Sequence, residues 1–258
     1  MIAPALLALA LCAVHLLAQR MSFLRTTPRS AWLSFAGGMS LSYVFLHLLP
    51  EIGEGQIELS REGETPLFGF GLYAVALGGL LIVYLLERLL AEDREAGREE
   101  LDPEDATDAG PTDPDDLETA ATPTFWLHLA NFAVYNAIVG ILLVVRIDET
   151  RAGLALFALA MGLHILVSDH GLNADFQQAW RRIGRWVLSG AVLSGLALGY
   201  AAPPDPAWLD IITAFLGGSV ILHVLKEELP ENRRSRVMPL LAGVLLFAAL
   251  VAAEARLA

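Results

Sequence analysis

The chain has 258 residues, of which 55% are hydrophobic and 18% charged, and its mean hydropathy is +0.53. This composition is too apolar for a disordered protein or an ordinary soluble domain, unless the core were improbably large. A formal net charge of −12 excludes a nucleic-acid-binding protein, which needs a basic surface to displace counterions from phosphates. The single cysteine, Cys12, excludes a disulfide scaffold and a cysteine-based zinc finger. We therefore expect an integral membrane protein.

Apolar stretches that could cross a bilayer recur eight times along the chain. A helix crosses the hydrocarbon core with about 20 mostly apolar residues, and these stretches lack the alternation of barrel strands. No basic residue precedes the first stretch, so we expect it to be a span rather than a signal peptide. The sequence predicts an all-α, polytopic membrane protein with a single eight-helix transmembrane domain. The predicted spans are residues 2–18, 31–50, 67–90, 125–145, 152–172, 186–202, 208–229 and 237–255.

The arginines in the connections between the spans predict how the chain is oriented. Twelve arginines fall in the connections after the first, third, fifth and seventh spans, counting Arg88 at the end of the third span, and three fall in the other connections. Short cytoplasmic connections carry an excess of positive residues, so we expect these four connections inside the cell and both termini outside. The expected location is the plasma membrane, which the chain crosses several times.

Residues 91–123 form an acidic, low-complexity segment. It contains thirteen acidic residues and two arginines, so its charge of −11 leaves only −1 for the rest of the chain. Proline and like charge oppose packing, and we therefore predict a disordered cytoplasmic loop. Almost all of the chain's net negative charge therefore lies in this segment and not in the spans.

The second and seventh predicted spans share a sequence pattern. Residues 35–51 read FAGGMSLSYVFLHLLPE and residues 215–231 read FLGGSVILHVLKEELPE, with seven of seventeen positions identical. The two spans run in opposite directions, which predicts an inverted repeat that relates spans 1–3 to spans 6–8. We expect the paired glycines to allow close helix approach and Pro50 to end the second helix. The alternative is two similar packing helices without a role in transport.

Polar side chains inside the spans are the candidate functional groups, because they are costly in a bilayer and usually face a cavity or a partner. Imidazole and carboxylate are ligands of zinc, iron and manganese. The densest cluster lies in the fifth span, where His164 and Ser168 share a helix face and Asp169 points elsewhere. The adjacent His170 and three polar residues of the fourth span are further candidates: His128, Asn131 and Asn136.

The same side chains also have a purely structural interpretation. We interpret His15, His47 and His223 as hydrogen-bonded interior groups or interfacial groups. For His164 with Asp169, the structural and the metal-binding interpretations both remain open. His128-x-x-Asn131 together with the Ser-Asp-His run of the fifth span also suggests a zinc-dependent hydrolase, in which a metal activates water.

Two of these segments resemble the ZIP (Zrt/Irt-like) family of divalent metal transporters. Residues 37–51 resemble the family's second span, which ends characteristically in His-x-x-Pro-Glu/Asp, here from His47 through Pro50 to Glu51. Residues 217–231 look like the family's seventh span in the same way. The resemblance extends to the architecture: eight spans, outside termini and a long cytoplasmic loop after the third span.

The family's fourth- and fifth-span metal motifs are degenerate in this chain. The motif His-Asn-x-x-Asp/Glu-Gly corresponds to a stretch in which Asn131 replaces the histidine and Tyr135 replaces the acid. The motif His-Glu-x-Pro-His-Glu corresponds to the stretch from His164 to Asp169, where only these two residues survive. The resemblance therefore implies His164 and Asp169 as ligands, and a standard binuclear zinc site is not expected.

The sequence thus predicts a divergent ZIP-like transporter, not an enzyme, that moves a divalent cation toward the cytoplasm. The cation is zinc, iron or manganese, with zinc favoured, and no tightly bound cofactor is expected. The resemblance implies rocking of the two repeats around a midplane site. A homodimer is a further expectation. The expected ligands are His164, Asp169, Asn131, His128 and His170, and the expected rim carboxylates are Glu51, Glu227, Glu228 and Glu231.

Two alternatives to transport remain open. The first is a ZIP-fold membrane protein that has lost transport and acts as a weak metal-binding, regulatory or scaffold protein. The second is an intramembrane zinc-dependent hydrolase. Uptake of metal by the pure protein in liposomes distinguishes the transporter from both.

Overall fold

The computed structural model describes residues 2–18, 30–61, 70–99, 122–148, 151–228 and 236–256. This part of the chain is helical and contains no strand. Seven of its long helices are apolar enough to cross a membrane, and α1 is a shorter apolar helix. These helices confirm the prediction of an all-α membrane protein for the described residues. The apolar helices of the described residues are α1 (Ile2–Leu17), α2 (Ala31–Arg61), α3 (Gly71–Glu99), α4 (Pro123–Val145), α5 (Arg151–Asp175), α6 (Gln177–Ala201), α7 (Pro206–Glu228) and α8 (Val237–Glu254).

Helix α2 continues past the end predicted for it. The sequence placed that end at Pro50, whereas the helix runs to Arg61. Val44–Leu48 form a π-helical turn, and the N–H of Leu49 bonds to the carbonyl of Val44, five residues back. The wider turn accommodates the proline, which lacks an N–H, within one helix. The expectation that Pro50 ends the second helix is therefore wrong.

The polar tail of α2 is held by its contact with the start of α3. Ile52 and Leu59 are buried there with Leu72. Gln56 Oε1 accepts a hydrogen bond of 2.8 Å from the Leu72 N–H, one of the groups that a helix leaves unpaired at its start. Gly71 has a φ of 41°, and a side chain there would collide with Gln56. Burial of one face explains why this polar segment is helical.

The end of α3 also differs from the prediction. The helix continues to Glu99, nine residues into the segment predicted as a disordered loop. Residues 100–121 of that segment lie outside the described residues. The described residues resume at Thr122, which caps α4 because its side chain accepts a hydrogen bond from the Phe125 N–H at 3.2 Å. Pro123 occupies the first turn of α4, where its missing N–H costs nothing.

Three pairs of helices approach each other at glycines. A Cβ at any of these glycines would overlap a backbone carbonyl oxygen of the facing helix. Small residues favour such close packing in a bilayer, where lipid weakens the hydrophobic attraction between helices. The glycines are Gly38 and Gly243 between α2 and α8, Gly79 and Gly218 between α3 and α7, and Gly140 and Gly195 between α4 and α6.

Helices α2, α4 and α5 lie at the centre of the described structure, and α3 and α8 lie at its periphery. Most side chains of the central helices are buried, whereas few of those of α3 and α8 are. The peripheral helices expose leucines such as Leu81 and Leu245, on a surface that a bilayer would cover. The largest apolar core surrounds Tyr43, Phe157 and Phe247. The polar groups of α4, α5 and α7 lie within this arrangement.

Candidate functional site

A cavity lies at one end of the bundle, near the C-terminal ends of α3, α5 and α7 and the start of α4. It is small and partly open to solvent, with space for about one water molecule. Glu87 and Lys226 form an ion pair in its wall, so with neutral histidines the lining carries one more negative charge than positive. The lining residues are Glu87, His128, Phe132, Ser168, Gly171, Leu172, Asp175, His223 and Lys226.

His128 contributes its imidazole to the lining of this cavity. Its side chain is buried, and Nδ1 lies 2.9 Å from the carbonyl oxygen of Thr124, one turn earlier in α4. Because a carbonyl only accepts, Nδ1 carries the hydrogen and Nε2 of the neutral ring keeps its lone pair. Among the described residues, no hydrogen-bond partner reaches that buried Nε2. An imidazole oriented by a backbone carbonyl, with an available lone pair, is suited to bind a metal.

His164 lies deeper in the bundle, next to His223. The centroids of the two rings are 5.2 Å apart, in an edge-to-face contact. Ser168 Oγ donates to the His164 carbonyl at 2.9 Å and lies 3.4 Å from His164 Nε2, toward which it can act only as an acceptor. The buried Nδ1 of His164 has no hydrogen-bond partner within the described part of the chain. Since His223 and Ser168 line the cavity, they connect His164 with it.

Asp169 faces a different neighbour. Its carboxylate oxygens lie 2.9 and 3.0 Å from Nδ1 of His15 in α1. The other ring nitrogen of His15 lies 3.0 Å from Oδ1 of Asn136 in α4. The two residues that the resemblance implied as joint ligands, His164 and Asp169, therefore contact different neighbours. His15 is the buried, hydrogen-bonded group expected from the sequence, but no local pattern indicates a partner 154 residues away.

The remaining candidate ligands are dispersed. Asn131 and His170 are half-buried, and neither is among the residues that line the cavity. The described residues contain no group of three His, Cys, Asp or Glu side chains arranged to hold a metal ion. Glu227 and Glu228 end α7, but their side chains, and Glu231 as a whole, lie outside the described residues.

The predicted rim carboxylate Glu51 is part of an ion-paired network at the opposite end of α4. It accepts hydrogen bonds from Nη2 of Arg146, whose side chain is almost completely buried. Nη1 of Arg146 lies 3.5 Å from Nε2 of His47, and the guanidinium lies 5.1 Å from the ring centroid of Phe157. The His47 ring stacks on Tyr43 at 5.3 Å. The second-span motif thus carries a carboxylate that is already neutralised by the protein.

We expect Glu51→Gln to lower the free energy of unfolding by about 1–3 kcal/mol. The substitution removes a counter-charge of buried Arg146, and breaking a fully buried pair costs about 3–5 kcal/mol. Glu51 is 35% exposed, and solvent screening reduces the loss. Thermal unfolding in detergent, followed by tryptophan fluorescence, measures the change. Glu58→Gln is the control, because Glu58 pairs with Arg61 on the surface; equal midpoints for the two variants would contradict the importance of the buried pair.

The fold and the site together define an all-helical, multi-pass membrane protein with a histidine-lined cavity at one end of the bundle. No protein-family model matches the sequence, and no curated protein matches it. Its function must be inferred from its own residues and their arrangement.

Proposed function

We propose that the protein is a ZIP-like transporter that carries a divalent metal cation toward the cytoplasm, with zinc favoured over iron and manganese. The arrangement of His164, His223 and His128 carries this proposal, because these imidazoles follow one another from the bundle interior to the cavity. His164 and His128 each have a buried ring nitrogen without a hydrogen-bond partner among the described residues. Divalent ions of zinc, iron and manganese accept imidazole ligands.

The cavity supplies further oxygen ligands along the same path. The hydroxyl of Ser168 lies beside His164, and the carboxyl group of Asp175 lines the cavity. A structural zinc site holds the ion with four protein ligands, whereas no three His, Cys, Asp or Glu side chains converge among the described residues. A transport path needs sites that bind a cation weakly enough to release it. A series of weak sites therefore agrees better with passage of a cation than with permanent binding.

The glycine contacts support an inverted repeat that relates α1–α3 to α6–α8. Gly38 of α2 packs on α8, and Gly218, at the equivalent position of α7, packs on α3. The glycines of α8 and α3 that complete these crossings face the carbonyl oxygens of Phe35 and Phe215, which also match in the sequence repeat. When α1–α3 is matched to α6–α8, the crossing of α2 with α8 therefore corresponds to the crossing of α7 with α3. Such a correspondence is expected for repeats that rock around a central site.

Exposed arginines support the orientation in which the cavity faces the cytoplasm. Exposed tryptophans lie at both ends of the bundle, with Trp32 and Trp126 at the end that holds the cavity and Trp208 at the other end, as expected for the two interfaces of a bilayer. Arginine is enriched in cytoplasmic connections. Arg181 and Arg182 are exposed at the end that holds the cavity. We therefore assign this end to the cytoplasm of a plasma-membrane protein with outside termini.

Uptake into liposomes that contain the pure protein tests the transport proposal. Zn²⁺, Mn²⁺ and Fe²⁺ are added outside in separate experiments, and a metal-sensitive dye reports their arrival inside. We expect the wild-type protein to take up at least one of these cations. His164→Ala is expected to slow that uptake at least about tenfold, because loss even of a group that only supports a metal ligand costs about 10–100-fold. Absence of uptake for all three cations, or unchanged uptake by His164→Ala, would contradict the proposal.

One observation favours a second function, a ZIP-fold protein that binds metal weakly and has a regulatory or scaffold role. Both carboxylate oxygens of Asp169 are engaged by His15, and no three ligands converge in the part of the chain that the structure describes. Binding of Zn²⁺ by the pure protein without any uptake into liposomes would support this second function.

A further inference from the structure

Three buried polar side chains join α1, α4 and α5 away from the cavity. His15 Nδ1 lies 3.0 and 2.9 Å from the carboxylate oxygens of Asp169, and its Nε2 lies 3.0 Å from Oδ1 of Asn136. Each of the three residues is 1% exposed. None of them is among the residues that line the cavity. We call this group the His15 centre.

The hydrogens of the His15 centre follow from its neighbours. Asn136 Nδ2 donates to the Phe132 carbonyl at 2.8 Å, so the amide oxygen of Asn136 faces the imidazole and accepts from it. Nε2 of His15 therefore carries a hydrogen. Both carboxylate oxygens of Asp169 lie within hydrogen-bond distance of Nδ1, so an ionised Asp169 accepts a second hydrogen bond from the ring, which is then an imidazolium.

We propose that His15 is a tethered cation that neutralises Asp169 inside the bundle, in the position where a cation from solution would otherwise have to bind. A lone ionised carboxylate is costly in a bilayer interior, and a hydrogen-bonded imidazolium removes the unbalanced charge. The centre as a whole is neutral. Its members come from three helices, so it also fastens α1 to α4 and α5. This inference does not rest on the proposed transport.

The tethered cation changes the role expected for Asp169. Both of its oxygens contact the protein's own imidazolium, so a metal ion could reach the carboxylate only by displacing the His15 ring. His164 contacts His223 and Ser168 instead, and the cation path can therefore bypass the His15 centre. Asp169 acts in this proposal as a counter-charge and not as a ligand.

Nitrogen-15 NMR of the full-length protein in detergent micelles at neutral pH tests the assignment, with label in the histidine rings. We expect both ring nitrogens of His15 to carry hydrogens in the wild-type protein, with the signals assigned by their absence from His15→Gln. In Asp169→Asn, we expect the His15 ring to be neutral, because its counter-charge is gone. A wild-type spectrum in which one His15 ring nitrogen lacks a hydrogen would overturn the proposal.

A double-mutant cycle gives a second measurement, which remains informative when a single variant fails to fold. We expect His15→Gln to lower the folding equilibrium constant about 100-fold, because it leaves Asp169 as a buried, unbalanced charge. Addition of Asp169→Asn to His15→Gln is expected to restore part of that stability, since two neutral amides then face each other. Further loss of stability in the combined variant, or its failure to fold, would overturn the proposal.

The control for the cycle combines His15→Gln with Asp210→Asn. Asp210 is a partly buried acid at the start of α7, packed beside Gly55. Removal of its charge is expected to add independently to the effect of His15→Gln, as substitutions at separate sites usually do. A gain of stability that requires Asp169 and does not occur with Asp210 identifies the pairing.

Discussion

A Gly218→Ala variant is expected to be less stable than the wild-type protein by about 3 kcal/mol, at the upper end of the usual cost of overpacking. A Cβ at this position would overlap the carbonyl oxygen of Ala76 in α3. Neither group can rotate away, because both belong to helix backbones, so α3 and α7 must separate. Thermal unfolding in detergent, followed by tryptophan fluorescence, measures the loss.

The glycine contacts provide a matched control and an internal comparison for this variant. Gly78→Ala lies on α3 near the same crossing, and no atom lies within 4 Å of a Cβ added there, so we expect no loss of stability. Gly38→Ala is expected to match Gly218→Ala, because its Cβ would overlap the carbonyl oxygen of Leu240 in the same way. A large effect at Gly218 with none at Gly38 would count against the inverted repeat.

Much of the helical architecture could be predicted from hydropathy, because each long apolar stretch needs a helix to satisfy its backbone in a bilayer. The paired glycines of α2 and α7 were also informative, and the second of each pair lies at a helix crossing. The tail of α2 was missed because Pro50 normally ends a helix. A π-helical turn and burial of Ile52 and Gln56 overcome that tendency, and neither has a signature in local composition.

The polar interior was predictable only in part. The sequence identified His128 and His164 as interior candidates, and both prove to be buried. It could not identify which polar side chains contact each other. The contact between His15 and Asp169, for example, joins α1 to α5 across 154 residues of sequence. The same limit applies to Glu51, which the sequence placed at an open rim although Arg146 neutralises it. Residue types follow from the sequence, whereas pairings depend on helix packing.

Under the proposed transport function, replacement of His128 by alanine is expected to slow cation uptake by about 10–100-fold, comparable with the loss of other groups that support a metal site. The substitution removes an imidazole from the lining of the cavity and leaves the remaining lining residues in place. The cation then lacks a nitrogen ligand at the end of the path from His164 and His223. Initial rates of uptake into liposomes, at equal amounts of inserted protein, measure the effect.

Leu127→Ala is the matched control for His128→Ala. Leu127 is the preceding residue of α4 and is 49% exposed, so its truncation changes the outer surface of the same helical turn without altering the cavity. Uptake by Leu127→Ala should equal that of the wild-type protein, and both variants should reconstitute as folded protein. If His128→Ala transports normally while His164→Ala does not, the cation leaves the bundle by another route. If His128→Ala and His164→Ala both transport normally, the imidazoles have no part in transport, because each variant lacks a ligand that the proposed path requires.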